Sequence, residues 1–201
     1  MKEGDGRMKI ERMVVIETSD IQIGDRIHVG KYTATCQEVT QKSALFLLDQ
    51  YLDDPMPMNR MNTNEGGYEK SDLRKELQSE EVLSIFKDIR DCMVPFENGD
   101  LLRIPFAGEI YGDKVPVWYE PDGHKQWPLM KDEHNRFAER RGAYEYGWLQ
   151  NKDIEDSTSF CITDEVYLYT EFVLGAASET LGVRPVFQIA NEIYKKKEMA
   201  E

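Results

Sequence analysis

Tyr32-Thr33-Ala34-Thr35-Cys36-Gln37-Glu38-Val39, followed after a short gap by Ala44-Leu45-Phe46-Leu47-Leu48, is the stretch that decides the fold class. The first block alternates apolar and polar side chains with the period of a half-buried strand. The second is a continuous apolar run, as expected of a strand covered on both faces. Upstream, Ile21-Gln22-Ile23-Gly24-Asp25-Arg26-Ile27-His28-Val29-Gly30 alternates in the same way and carries a Gly-Asp turn. Strands spaced this closely predict an antiparallel meander. Met13-Val14-Val15-Ile16 is a further short β-prone run, and residues 1–12 are expected to form a frayed or disordered start.

Downstream the pattern changes. Asp53 to Gly67 reads as a loop, rich in Asp, Asn, Pro, Gly and Met. Ser71 is placed to cap a helix carrying Leu73 and Leu77, and Ser79 to cap a second with Glu80 and Glu81 in its first turn. Val82, Leu83, Ile85, Phe86 and Ile89 share one helical face, and Pro95 closes the segment. Leu101 to Phe106 reads as a strand and Gly108 to Gly112 as a turn. Asp132 to Arg141 reads as a helix that Gly142 caps. Four more strands are expected at Tyr144 to Gln150, Ser159 to Thr163, Val166 to Phe172 and Val183 to Ile189, with Gly175 to Gly182 a small-residue loop. Residues 191–201 form a charged tail. No repeat, linker or composition shift divides the chain. The expectation is a single α+β domain over residues 13–190, a twisted antiparallel sheet with two or three helices.

Composition narrows the partners. A chain of 201 residues with 40% hydrophobic and 10% aromatic residues suits a globular domain. Its net charge of -13 and pI near 4.8 count against nucleic acid and against an anionic membrane surface, since both need basic side chains on phosphates. Lys195-Lys196-Lys197 and Arg140-Arg141 are short basic runs that read as solvated faces. Three widely separated cysteines, Cys36, Cys92 and Cys161, form neither a disulfide framework nor a zinc motif. No signal-like or membrane-spanning apolar run is present, so a cytoplasmic protein is expected, any exit being by lysis, assembly into a larger particle or a non-standard route.

Candidate chemistry is sparse. His28 reads as a surface strand residue, and His124 and His134 lack the spacing that sets two ligands on one helical face. No nucleophile elbow, phosphate loop or dinucleotide fingerprint occurs, so no cofactor is expected. Glu120-Pro121-Asp122 resembles the tripeptides with which C-type lectins hold calcium and a sugar. Glu120 and Asp122 are therefore the metal candidates, although no downstream acidic cluster completes an oxygen cage. Aromatics concentrate in the second half: Trp118, Tyr119, Trp127, Tyr144, Tyr146, Trp148, Tyr167 and Tyr169. Tyr144, Tyr146 and Trp148 share one parity of an expected strand, as do Tyr167 and Tyr169. Such a set forms either a packed core or a recognition surface.

Ile23-Gly24-Asp25-Arg26-Ile27 with Gly30 and Tyr32, Gly66-Gly67-Tyr68 with Ser71-Asp72-Leu73-Arg74 and Leu77, Gly147-Trp148-Leu149, and Ala177-Ser178 before Gly182-Val183-Arg184-Pro185-Val186-Phe187 together resemble DUF6273. This is a domain family of unknown function common in gut Firmicutes and their prophages. The resemblance spans Ile21 to Ile189. The chain departs from the family at Gln150, where relatives carry Arg, and around Cys36, where Trp is common. The glycine-rich approach to the last strand also resembles C-type lectin-like domains, a group that includes formylglycine-generating enzymes and phage receptor-binding proteins. The enzymes need a pair of neighbouring cysteines, and Cys161 stands alone. The resemblance therefore implies a C-type lectin-like fold and a non-catalytic binding protein that recognises a protein or glycan through Tyr144, Tyr146, Tyr167, Tyr169, Trp118 and Tyr119. A structural component of a phage particle, and an enzyme using Cys161 or a carboxylate pair, are the alternatives. Trp148 is expected to plug the core, and Arg184 to pair with a buried carboxylate.

Overall fold

In the computed structural model, which describes residues 21–163 and 174–191, the chain opens with the expected meander. Strands β1 (Arg26–Val29), β2 (Tyr32–Val39) and β3 (Ser43–Leu48) pair in order and antiparallel, with a bulge between Cys36 and Glu38. A short β4 (Met56–Pro57) precedes helices α1 (Asp72–Leu77) and α2 (Glu80–Leu83), then β5 (Met93–Val94) and helix α3 (Ala107–Tyr111). The second half adds β6 (Glu139–Arg140), β7 (Ala143–Tyr144), β8 (Gly147–Lys152), β9 (Ser159–Thr163), β10 (Leu174–Ala176), β11 (Thr180–Leu181) and β12 (Val186–Ala190). The main sheet runs β1-β2-β3-β12-β5 and curls into a half-barrel; a second sheet runs β10-β9-β8. The last strand thus pairs directly with the third, which draws the two ends of the domain together.

Strand alternation divides the interior into two cores. All six residues of β3 are buried. Ala44, Phe46 and Leu48 enter one core, while Leu45 and Leu47 enter the other. In β12, Phe187 and Ile189 take the first side and Val186 the second. The second sheet is split likewise: Trp148, Phe160 and Ile162 face the first core, Leu149 and Cys161 the second. The unbroken apolar run of β3 is explained by this double coverage. Each large side chain fully buried this way contributes about 1.5–3 kcal/mol.

The residues that carry the family resemblance take structural positions. The Ser71 hydroxyl accepts from the Arg74 N–H and Ser79 accepts from Val82, so both helix caps form. Arg74 reaches the Asp100 carboxylate at 2.6 Å. Trp148 is 1% exposed and donates to the Met56 carbonyl at 2.7 Å. Gly147 and Gly182 flank the Tyr51 ring so closely that a Cβ at Gly182 would stand 2.7 Å from the ring's Cγ. Arg184 is buried, and it donates to the carbonyls of Leu48 at 2.6 Å and Asn135 at 3.1 Å. Main-chain carbonyls thus take the place of the expected carboxylate partner, and burial lowers the guanidinium's affinity for its proton.

Several local expectations are overturned by long-range contacts. Leu101 to Phe106 makes only a single bridge, Arg103 to Val186, with Pro105 lacking an N–H to extend it. Of the Gly108 to Gly112 segment, Gly108 to Tyr111 belong to α3, and only Gly112 opens a turn, the 3₁₀ turn Gly112–Lys114. Asp132 to Arg141 gives only a 3₁₀ turn at Glu133–Arg136 and then β6, because Arg136 is drawn inward onto the Met130 carbonyl at 2.8 Å. Gly142, at φ 80, and Arg141, at φ 55, form the turn of the β6–β7 hairpin. That pair of positive φ values is the two-residue hairpin geometry, not a helix cap. The Gly175 to Gly182 stretch contains β10 and β11 instead of a plain loop. Residues 1–12, Met13 to Ile16, Val166 to Phe172 and the tail beyond Asn191 lie outside the described residues.

Candidate functional site

Where the chain leaves α3 it returns along the end of β8, and this return sets up the candidate site. Ile154 N–H donates to the Trp118 carbonyl at 2.8 Å, Glu120 N–H donates to the Lys152 carbonyl at 2.9 Å, and Tyr119 bridges Asp153. Residues 118–120 and 152–154 are therefore a short antiparallel ladder. Its alternation is strict. Tyr119 (1% exposed) and Asp153 (5%) point inward. Trp118 (41%), Ile154 (57%), Glu120 and Lys152 remain on the outer side, and Val117 beside them is 88% exposed. Glu120 and Lys152 face each other at 4.0 Å.

The ladder is anchored by Asp122 and Asn151. Asp122 accepts from Gly108 N–H at 2.8 Å, from His124 N–H at 2.8 Å and from the Asn151 side-chain amide at 2.9 Å. Asn151 also accepts from Ala107 N–H at 2.7 Å and donates to the Glu120 carbonyl at 2.8 Å. These two side chains satisfy orphan N–H groups at the start of α3, which is why that helix forms. Glu109 accepts Phe106 N–H and the bidentate guanidinium of Arg103, both buried. Arg103 in turn lies 4.9 Å from the Phe96 ring and 5.1 Å from Phe106, and His124 stacks on Phe106 at 4.1 Å. Next to the ladder runs a shallow groove of about 330 Å³, lined by Gly66, Gly67, Phe106, Glu120 and Lys152 among others.

The expected site residues are dispersed. Tyr144 and Tyr146 are exposed at 51% and 42%, but they do not share a strand face with Trp148. Tyr144 ends β7, which pairs with β6, and Trp148 belongs to β8, which pairs with β9. The chain breaks between them, and the Arg140–Glu145 pair at 2.7 Å holds that corner. Tyr167 and Tyr169 lie outside the described residues. Tyr119 is a core residue rather than a contact residue; burial raises its pKa and that of the neighbouring Cys161. Both oxygens of Asp122 are occupied by N–H donors, while the Glu120 carboxylate stands 4.0 Å from the Lys152 ammonium. Among the described residues no group of three or more His, Cys, Asp or Glu side chains is placed to hold a metal ion. Sequence reasoning did not single out Ile154 or Lys152, because only the pairing of two distant segments brings them to the Trp118 ladder.

No family model, curated protein or solved structure matches this chain. The fold and site define an α+β domain built on antiparallel sheets. Among the described residues no helix is long and apolar enough to cross a membrane.

Proposed function

We propose that this chain is a non-catalytic binding domain whose partner is a protein, held at the outer face of the Trp118–Glu120 ladder. The carrying observation is the exposure of Trp118 and Ile154 opposite each other on a ladder fixed by Asp122 and Asn151, with Val117 exposed in the turn just before it. Neighbouring exposed apolar side chains mark interaction sites, and Trp is the residue most enriched among binding hot spots. A rigid scaffold lowers the ordering cost of association. Glu120 and Lys152 supply the polar rim that protein interfaces place around an apolar centre. A protein is favoured over a calcium-held sugar because Asp122 already serves three N–H donors.

The enzyme reading has less support. Cys161 is buried, and burial holds its thiol protonated well above the ordinary range, so little nucleophilic thiolate forms. Glu109 is committed to Arg103. The C-type lectin-like architecture and the kinship with prophage-borne DUF6273 domains belong to this proposal and rest on the motif residues quoted above. Structural service in a phage particle is distinguished by self-assembly of the purified chain. The test is selection of binders from a displayed-protein library, followed by affinity measurement on Trp118→Ala and Ile154→Asp. A hot spot at this face predicts losses of about 2 kcal/mol or more. Undiminished affinity on both variants would move the site elsewhere.

A further inference from the structure

A second concavity lies on another side of the molecule, between the β1–β2 turn, the Leu52 to Met56 segment and α2 with the turn that follows it. Its volume is about 360 Å³, within the roughly 300–1,000 Å³ of small-ligand pockets. The floor is apolar: the Leu52 and Val82 side chains are buried, and Ile85 and Met56 are half-buried beside them. The rim is charged. Asp53 is taken up by Lys31, but Asp54, Glu76 and Glu81 have no ion-pair partner among the described residues. Lys87 is the one lining cation without such a partner, so the unpaired carboxylates of Asp54, Glu81 and Glu76 (which accepts only a long 3.5 Å bond from the Ser79 hydroxyl) outnumber it.

We infer that this cleft binds an aliphatic amine, a small organic cation whose alkyl body lies on Leu52, Val82 and Ile85 while its ammonium groups face Asp54, Glu76 and Glu81. Both halves of the site are needed for this assignment. A hydrated inorganic ion gains nothing from the apolar floor, whereas an uncharged alkyl chain gains nothing from the rim. The volume lies near the lower end of the small-ligand range, which favours a short alkyl amine over a bulky organic cation. The net charge of -13 attracts cations toward the surface at large, and the apolar floor selects among them. This inference stands apart from the Trp118 face.

The test is titration of the full chain with cadaverine, followed by the methyl resonances of Leu52, Val82 and Ile85. Saturable shifts at those methyls are expected, with pentanol and ammonium chloride at matched ionic strength failing to reproduce them. Glu76→Gln and Glu81→Gln lie on the half-exposed or exposed rim and leave the core intact. Each should weaken binding by about two- to fivefold, the range for exposed ion pairs, and the double variant by about tenfold or more. Absent or non-saturating shifts, equal shifts with ammonium chloride, or unchanged affinity in the double variant would overturn the assignment. Saturation by a lysine-rich peptide with no response to cadaverine would overturn it as well.

Discussion

Replacing Asp122 with alanine removes one acceptor shared by Gly108 N–H, His124 N–H and the Asn151 amide, at 2.8, 2.8 and 2.9 Å. Hydrogen bonds to a charged group contribute about 1.5–3 kcal/mol each when buried. Asp122 is half-buried, so water replaces part of what is lost. A total cost of about 2–4 kcal/mol follows, a large share of the 5–15 kcal/mol typical of a whole domain. For a chain of this size that lowers the melting temperature by roughly 5–15 °C. The assay is thermal and urea denaturation of wild type, Asp122→Ala and Asp122→Asn, each with and without calcium. Asp122→Asn keeps one carbonyl oxygen and should fall between the other two. The losses should be the same with and without calcium, because the carboxylate works as a staple. A loss below about 0.5 kcal/mol in calcium-free buffer, or a loss seen only when calcium is present, would refute the reasoning and return Asp122 to the role of metal ligand.

Gly182→Ala would set a Cβ 2.7 Å from the Tyr51 ring, and overpacking of this kind costs about 1–3 kcal/mol. In a Tyr51→Ala background the same substitution should cost almost nothing; additive costs would show that the ring is not the obstacle. Native protein should present one thiol, Cys92, to a disulfide reagent, since Cys36 and Cys161 are buried and burial pushes Cys36 up to about 11. Reaction of Cys161 in the folded protein at the rate of a free thiol would instead support the enzyme reading. On acidification the sign is set by depressed carboxylates. The Ser159 hydroxyl, then the Thr158 hydroxyl and N–H, hold Asp156 below the ordinary 3.8. A group depressed in the folded state contributes its stability above that value and loses it as pH falls through the folded pKa. The urea midpoint should therefore hold down to about pH 5 and decline below about pH 4, less steeply in Asp156→Asn. An unchanged acid branch in that variant would remove Asp156 from the account.

Which features were legible in the sequence depends on how local their causes are. The β1–β3 meander and the Ser71 and Ser79 caps rest on alternation and on donors three residues away, so the sequence displays them directly. Helix α3 looks like a turn in the sequence because its caps come from Asp122 and Asn151, 14 and 44 positions distant. The Tyr144 to Trp148 run looked continuous because parity alone does not show where one strand partner is exchanged for another. The same limit applied at the site. Trp118 and Tyr119 are equally aromatic, and only the pairing of 118–120 with 152–154 decides that the first faces out and the second in. Many of the motif residues quoted above, among them Trp148, Leu73, Gly182 and Phe187, sit at core or close-packed positions and carry no information about a ligand.

The proposed binding of a partner at the outer face of the Trp118 ladder can be read directly by fluorescence. The sequence contains three tryptophans, and Trp127 and Trp148 are 2% and 1% exposed while Trp118 is 41% exposed. Acrylamide quenching of the intrinsic fluorescence therefore reports on Trp118. The decisive measurement is that quenching in the presence of a saturating protein partner. If the partner covers Trp118, the accessible fraction disappears on binding. A partner that binds while the quenching stays unchanged would contradict the proposed site.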